Sequence, residues 1–359
     1  YDQTTNSNNG TINGATYDTN ILTQSCVGGL TNVNGCDSTA ILNLTINYGD
    51  TSYTNITACD SVVWNGVTYD SSGTYSYSGS SIFSQIGQDI DGEAAGDRSG
   101  YSVSMSSDGN IVAIGAYKND GNGSDAGHVR IYEWNGTEWG QVGGDIDGEM
   151  PGDGSGGSVS LSSDGHIVAI GAHGHGDYSG HVRIYQWDGT EWIQLGSDID
   201  GEAKDDNSGG SISLSSDGTI VAIGAHQNDG NGNNAGHVRV YKYTSGNWSQ
   251  LGSDIDGEAA GDESGNSVSL SSDGTILAIG AYYNDANGSD AGHVRVYQYA
   301  SGSWSQLGSD IDGEAAGDYS GNSVSLSSDG TIVAIGAYQN DGNGSNAGHV
   351  RVYKNVSDV

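Results

Sequence analysis

The string Asp-Ile-Asp-Gly-Glu recurs five times, starting at Asp89, Asp145, Asp198, Asp254 and Asp310, at spacings of 56, 53, 56 and 56 residues. The same train follows each copy: a Ser/Val alternation ending in Ser-Ser-Asp-Gly, the apolar run Ile-Val-Ala-Ile-Gly-Ala or a near copy, a loop, then His-Val-Arg and a Tyr. A chain repeating at a fixed period of this length builds one supersecondary unit several times and buries each unit against its neighbours. The fold is therefore an array.

Within one repeat, Ser102-Val103-Ser104-Met105 alternates at period two, and Ser107-Asp108-Gly109 supplies a tight turn. Ile111 to Ala116 is continuously apolar, as for a strand covered on both faces, and its small residues permit close stacking. His128-Val129-Arg130-Ile131-Tyr132 predicts a third strand, and a fourth carries Trp139 and Val142. Four short strands per repeat predict blades of a β-propeller, five of them over residues 81–359, beginning near 89, 145, 198, 254 and 310. The last repeat ends at Tyr353-Lys354 without the Trp-containing strand, while Ile82-Phe83-Ser84-Gln85-Ile86-Gly87 aligns with Trp304-Ser305-Gln306-Leu307-Gly308. This predicts an N-terminal strand that completes the last blade and closes the ring, removing open sheet edges. An open array of five sheets is the alternative, and it leaves that strand unexplained.

The chain has 61 Gly, one Pro and one Phe, so its core has to come from Val, Ile, Ala, Tyr and Trp in strands; the fold class is all-β. With 45 acidic against 10 basic residues, the formal charge of −35 excludes nucleic-acid backbone binding and disfavours anionic membranes. No stretch of 18 apolar residues predicts membrane insertion, and no leader precedes Tyr1, which reads as a cut through a larger chain. Abundant Asn, Thr, Ser, Gly and Asp with few Lys and Arg fit an extracellular protein.

The pattern from Ser-Gly through Ser-Ser-Asp-Gly and Val-Ala-Ile-Gly-Ala to Ala-Gly-His-Val-Arg-Val-Tyr resembles the FG-GAP repeats of integrin-α-like propellers, with Ser in place of the usual Phe. That family often carries a long Asp-rich calcium loop between its first two strands. Here it is cut to a tight turn at Asp108, Asp164, Asp217, Asp273 and Asp329.

Residues 1–80 read as a separate, β-sandwich-like all-β unit. The strings around Cys36-Asp37-Ser38 and Cys59-Asp60-Ser61 resemble repeats in giant surface adhesins of Bacteroidota, associated with gliding and attachment and exported by the type IX pathway. Cys26, Cys36 and Cys59 allow one internal disulfide, Cys26 with Cys36 or Cys36 with Cys59, and one leftover thiol. Ser38 and Ser61 resemble O-glycosylation acceptors of that group.

Three constellations carry potential chemistry. Asp91, Glu93 and Asp97 around Gly92, together with Asp120 and Asn122, offer oxygen donors at spacings that suit calcium, as do their repeat equivalents; the alternative is that they form solvated Asx turns. Arg130, Arg183, Arg239, Arg295 and Arg351 each follow a His by two residues, so both project to one strand face. There the guanidinium is expected to pair with an Asp of the neighbouring blade as a structural inter-blade link. The second repeat has a loop shorter by three residues, with His173, His175 and Asp177 in place of the Asn/Asp/Gly run. That is either a transition-metal site or a simple deletion. The repeated Trp139, Trp192, Trp248 and Trp304 suit sugar stacking or packing on the blade below.

An active site needs an asymmetric constellation at one point, whereas near-identical blades place identical residues around an axis. With the two resemblances, this predicts a non-enzymatic segment of a large extracellular adhesin or filament, mediating attachment to cells, prey or surfaces or assembly of the appendage. Its expected partners are copies of itself, other segments of the fibre, and a cell-surface or glycan target. A lectin-like carbohydrate-binding propeller is the alternative, and a glycoside hydrolase the third reading.

Overall fold

A computed structural model describes residues 83–356 and four short strands nearer the N-terminus. Contacts divide the chain into two units, Tyr1–Phe83 and Ser84–Val359. In the first unit, β1 (Asn43–Thr45) pairs antiparallel with β2 (Tyr53–Asn55), and β3 (Val62–Trp64) pairs with β4 (Val67–Tyr69). Cys26, Cys36, Cys59, Ser38 and Ser61 lie outside the described residues.

The second unit is five antiparallel sheets in succession. In the first, β5 (Ser102–Met105), β6 (Ile111–Ala116), β7 (His128–Trp134) and β8 (Trp139–Gln141) lie in chain order. The acidic repeat string adds to it: β9 (Ile146–Asp147) pairs with β7, aligning Asp147 with His128 and Ile146 with Val129. Ile146 is buried there while Asp147 is exposed, so a segment that reads as a loop is half strand. The next three sheets repeat this plan from Ser158, Ser211 and Ser267; the last keeps three strands, from Ser320. Among the described residues, no helix is long and apolar enough to cross a membrane.

Packing explains the composition. Ala113, Val129, Ile131 and Ile146 of the first sheet meet Leu161, Val168, Ile170 and Tyr185 of the second, and equivalent clusters fill the later junctions. The sheets approach so closely that a Cβ on Gly115 would lie 2.1 Å from the carbonyl oxygen of Gly156, in the turn that enters the next sheet. The serines of the alternating strand bridge the same gap. Ser102 donates to the Gly156 carbonyl at 2.7 Å, and Ser104 accepts from the Leu161 N–H at 2.9 Å. Both bonds recur at the next three junctions. The Trp residues pack on the preceding repeat, the indole N–H of Trp192 donating to the Val142 carbonyl at 2.9 Å.

The expected closing strand is corrected. Residues 84–87 form no strand, and the last sheet gains no fourth strand among the described residues. Instead the Ile86 carbonyl accepts the Trp139 indole N–H at 3.2 Å, the place that Val142, Leu195 and Leu251 hold for Trp192, Trp248 and Trp304. The segment thus docks on the sheet that follows it. Among the described residues nothing covers either end of the array: Val103 is 64% exposed on the first sheet and Val350 67% on the last, whereas Val182, Val238 and Val294 are fully buried.

Candidate functional site

The side chains of His128, Arg130 and Tyr132 share one face of β7, and the guanidinium of Arg130 lies over the Tyr132 ring at 5.6 Å. Arg130 donates to the backbone carbonyl of Asp91 at 2.7 Å and sits 3.6 Å from a Glu93 carboxylate oxygen. Arg183, Arg239 and Arg295 repeat the arrangement with Asp147, Asp200 and Asp256, and with Glu149, Glu202 and Glu258. Arg351 does so with Asp312 and Glu314. Because Asp147 belongs to a strand on the first sheet, Arg183 ties the second sheet to it. The expected partner is corrected in kind: the charge partner is Glu, while Asp contributes its backbone carbonyl, since its side chain points outward from the strand edge.

The residues of the expected calcium set take different local tasks in the structure. Asp97 is buried, its Oδ2 accepting the Ala94 N–H and the Asn119 side-chain amide at 3.1 and 2.9 Å. Asp120 accepts the Asp125 N–H at 2.8 Å, and Asn122 donates to the Gly148 carbonyl at 2.6 Å. These are roles that brace turns and loops. The short turns behave alike: Asp329 accepts from Ser327, the Thr331 N–H and the Thr331 hydroxyl, which hold its carboxyl down at about 2.

Only Glu93 enters a convergent group. It meets His128 and Asp145, with the histidine Nδ1 3.8 Å from an oxygen of each. Glu202, His237 and Asp254 form the same group in the third sheet, and Glu258, His293 and Asp310 in the fourth. The Glu comes from the connection entering a sheet, the His from its third strand, and the Asp from the connection leaving it. In the last sheet His349 and Glu314 meet at 3.6 Å. In the second, His181 is shared by two groups, one with Glu149 and His175 and one with Asp198 and Asp200. His173 and Asp177 of the short loop join neither.

The imidazoles are unusual in being buried without a hydrogen-bond partner. Both ring nitrogens of His181 and of His293 lack one, as does Nε2 of His237. Burial first, then the adjacent Arg295, lowers the His293 pKa; for His181, burial and then His175 and Arg183 push it down to about 4. A neutral ring with a free lone pair beside two carboxylates is a set of ready nitrogen and oxygen donors. The separations of 3.8–3.9 Å approach those around a cation with bonds of about 2.0–2.2 Å. Among the described residues the best-formed hollows are open depressions, one of about 380 Å³ lined by Asp89, Tyr132 and Trp139 among others.

Fold and site together define an all-β protein of repeated antiparallel sheets with propeller-like structural relatives. The repeat itself is matched by the FG-GAP repeat family at residues 90–132, 255–297 and 311–353. No curated protein matches the chain in sequence. Among solved structures, it is similar to a putative 6-phosphogluconolactonase from Bacteroides uniformis, at 14% identity and a TM-score of 0.47 over 68% of this chain and 69% of that one. The periplasmic gluconolactonase PpgL of Pseudomonas aeruginosa gives 16% identity and a TM-score of 0.47 over 65% and 64%, respectively. Hydrazine synthase of Kuenenia stuttgartiensis gives 17% and 0.43 over 68% and 59%, so the chain spans less than two thirds of the latter two.

The functional expectation is corrected at this point. Two of these proteins are named as lactonases and none as an adhesin, so the non-enzymatic adhesin segment, with its expectation of no enzyme, is withdrawn. Identities of 14–17% carry no reaction over to this chain either.

Proposed function

We propose that the five sheets are successive propeller-type blades forming an extracellular divalent-cation-binding module, with one cation at the Glu–His–Asp group of each junction that has one. The observation that carries this reading is His293, fully buried, with both ring nitrogens unpartnered and facing Glu258 and Asp310. Leaving a buried polar group unsatisfied costs about 1–3 kcal/mol, a cost that a bound cation would offset. Arg295 takes one oxygen of Glu258 at 3.7 Å, and the other faces His293 at 3.9 Å. Glu258 is partly exposed, which gives an ion a way in.

Mixed imidazole and carboxylate donors suit Mn²⁺, Co²⁺ or Zn²⁺ better than an all-oxygen calcium cage. A bound ion would join the segment entering a sheet to the one leaving it through the strand between them, stiffening the array at each step. The extracellular placement rests on the strongly acidic composition, with a formal charge of −35. Calorimetric titration of the full chain with Mn²⁺ and Zn²⁺ tests the reading. Uptake of more than one ion per chain, reduced by His293→Gln, is expected; no heat and no change in melting temperature with either ion would remove it.

A further inference from the structure

The second sheet departs from the others at a single loop, and the departure is chemically directed. In four repeats a buried Asp accepts the amide of an Asn that follows the second strand: Asp97 with Asn119, Asp206 with Asn228, Asp262 with Asn284 and Asp318 with Asn340. The second repeat has Asp153 but places His175 at the Asn position, its Nδ1 3.1 Å from Asp153 Oδ1. An imidazole differs from an amide in one respect that matters here: with one nitrogen engaged by the carboxylate, the other remains available to a metal. A carboxylate on the far nitrogen is also the arrangement that orients a metal-bound histidine and raises its basicity.

The shortened loop delivers that ring to a second one. His175 opens a helical turn, His175–Tyr178, in which Gly176, Asp177 and Tyr178 all have φ near +60°. The turn folds back so that His175 stacks on His181 with ring centres 4.0 Å apart. His181 is fully buried, and neither of its nitrogens has a hydrogen-bond partner. Glu149 reaches the same pair, and Asp198 and Asp200 approach His181 as a second group. Where the first, third and fourth sheets bring one imidazole and two carboxylates together, this one brings two imidazoles to Glu149, with Asp198 and Asp200 grouped separately on His181.

We propose that the second sheet holds a selective transition-metal site, ligated by His175, His181 and Glu149, for a nitrogen-preferring ion such as Zn²⁺, Co²⁺ or Ni²⁺. The inference rests on the cation-binding reading of the repeated groups and assigns one of them a different ion. Two imidazoles favour a borderline-soft ion over Ca²⁺ and Mg²⁺, which take oxygen donors. The asymmetry is intrinsic to the chain: among the described residues, only this group has a second imidazole.

Co²⁺ titration of the full chain, followed by its visible absorption in the presence of excess Ca²⁺, tests the proposal. One equivalent is expected to bind tightly with ligand-field bands that Zn²⁺ displaces and Ca²⁺ does not. His175→Asn restores the amide of the other repeats and keeps a donor for Asp153, so it should fold as the parent does, with unchanged circular dichroism. It should lose the tight equivalent by at least the 10–100-fold seen when even an outer partner of a metal ligand is removed. Glu149→Gln should weaken the same equivalent without touching the others. If His175→Asn binds Co²⁺ with the parent's affinity and spectrum, the proposal is overturned while the general cation reading stands. If the parent takes up no ion of any kind, both fall.

Discussion

Asn284 donates its side-chain amide to Oδ2 of Asp262 at 3.0 Å, and both residues are buried. The same carboxylate oxygen accepts the Ala259 N–H, so one Asp joins the connection before a sheet to the loop after its second strand. Removing one partner would leave the other buried and unsatisfied. Asn284→Ala is expected to destabilise the array by about 1–3 kcal/mol, read as a lower midpoint in urea unfolding. Asn284→His should be tolerated better, because the second repeat already uses that pair. Equal losses for both variants would contradict this account.

Sheet spacing makes a steric prediction. A Cβ on Gly224 would meet the Gly265 carbonyl oxygen at 2.0 Å, a backbone atom held by the hydrogen bond from Ser211. Gly336 is its counterpart in the last sheet, where the close contact is the Ser323 side-chain oxygen at 2.4 Å, which can rotate away. Gly224→Ala should therefore cost at least the roughly 1–3 kcal/mol typical of overpacking, and Gly336→Ala clearly less. Thermal melts of the two variants side by side decide the matter.

Acid should weaken the fold in a window set by buried histidines. Burial, and secondarily the neighbouring His173, push His226 down to about 4, against 6.5 for the free side chain. Between these values the unfolded chain binds a proton that the folded chain refuses. The stabilisation is complete above pH 6.5 and is lost as pH falls towards 4, by on the order of 3 kcal/mol. Melting temperatures between pH 7 and 4 should show this slope, and His226→Gln should flatten it. A slope unaffected by that substitution would place the acid sensitivity elsewhere.

The inter-sheet arginines predict a difference between the middle and the end of the array. Arg295 is 5% exposed, bonded to the Asp256 carbonyl, close to Glu258 and stacked over Tyr297. Lysine supplies a point charge but not the planar fork that makes these contacts together. Arg295→Lys should lower stability by about 1–2 kcal/mol, whereas Arg351→Lys, in the half-exposed last sheet, should cost under about 1 kcal/mol. Identical effects on chemical denaturation at both positions would argue against the link.

Much of the fold is legible in the sequence because the repeat confronts the same packing problem each time. The Ser/Val alternation, the Ile-Val-Ala-Ile-Gly-Ala run and the His-Val-Arg strand all fall where period and turn residues put them. The likeness of Ile82-Phe83-Ser84-Gln85-Ile86-Gly87 to a fourth strand misleads, since a strand motif does not specify the edge it joins; here the segment follows Trp139. The Glu–His–Asp groups are hard to read for a different reason. Glu93, His128 and Asp145 come from three separate segments, whereas Asp97 and Asp120 look like a loop site but serve their own turns. The signal that could have found them is that Glu and His recur 35 residues apart in four of the five repeats, with an Asp 17 residues after the His in all but the last.

The serine bridges and glycine contacts repeat unchanged from one junction to the next, with an uncovered face left at each end. Each sheet is therefore stabilised almost wholly by its two neighbours, as a link in a chain rather than a stone in an arch. Opening should start with the three-stranded last sheet and travel inward one repeat at a time, so amide protons of Ile332–Ala337 would exchange ahead of those of Ile220–Ala225. A cation held at an inner junction would act as a stop to that unzipping.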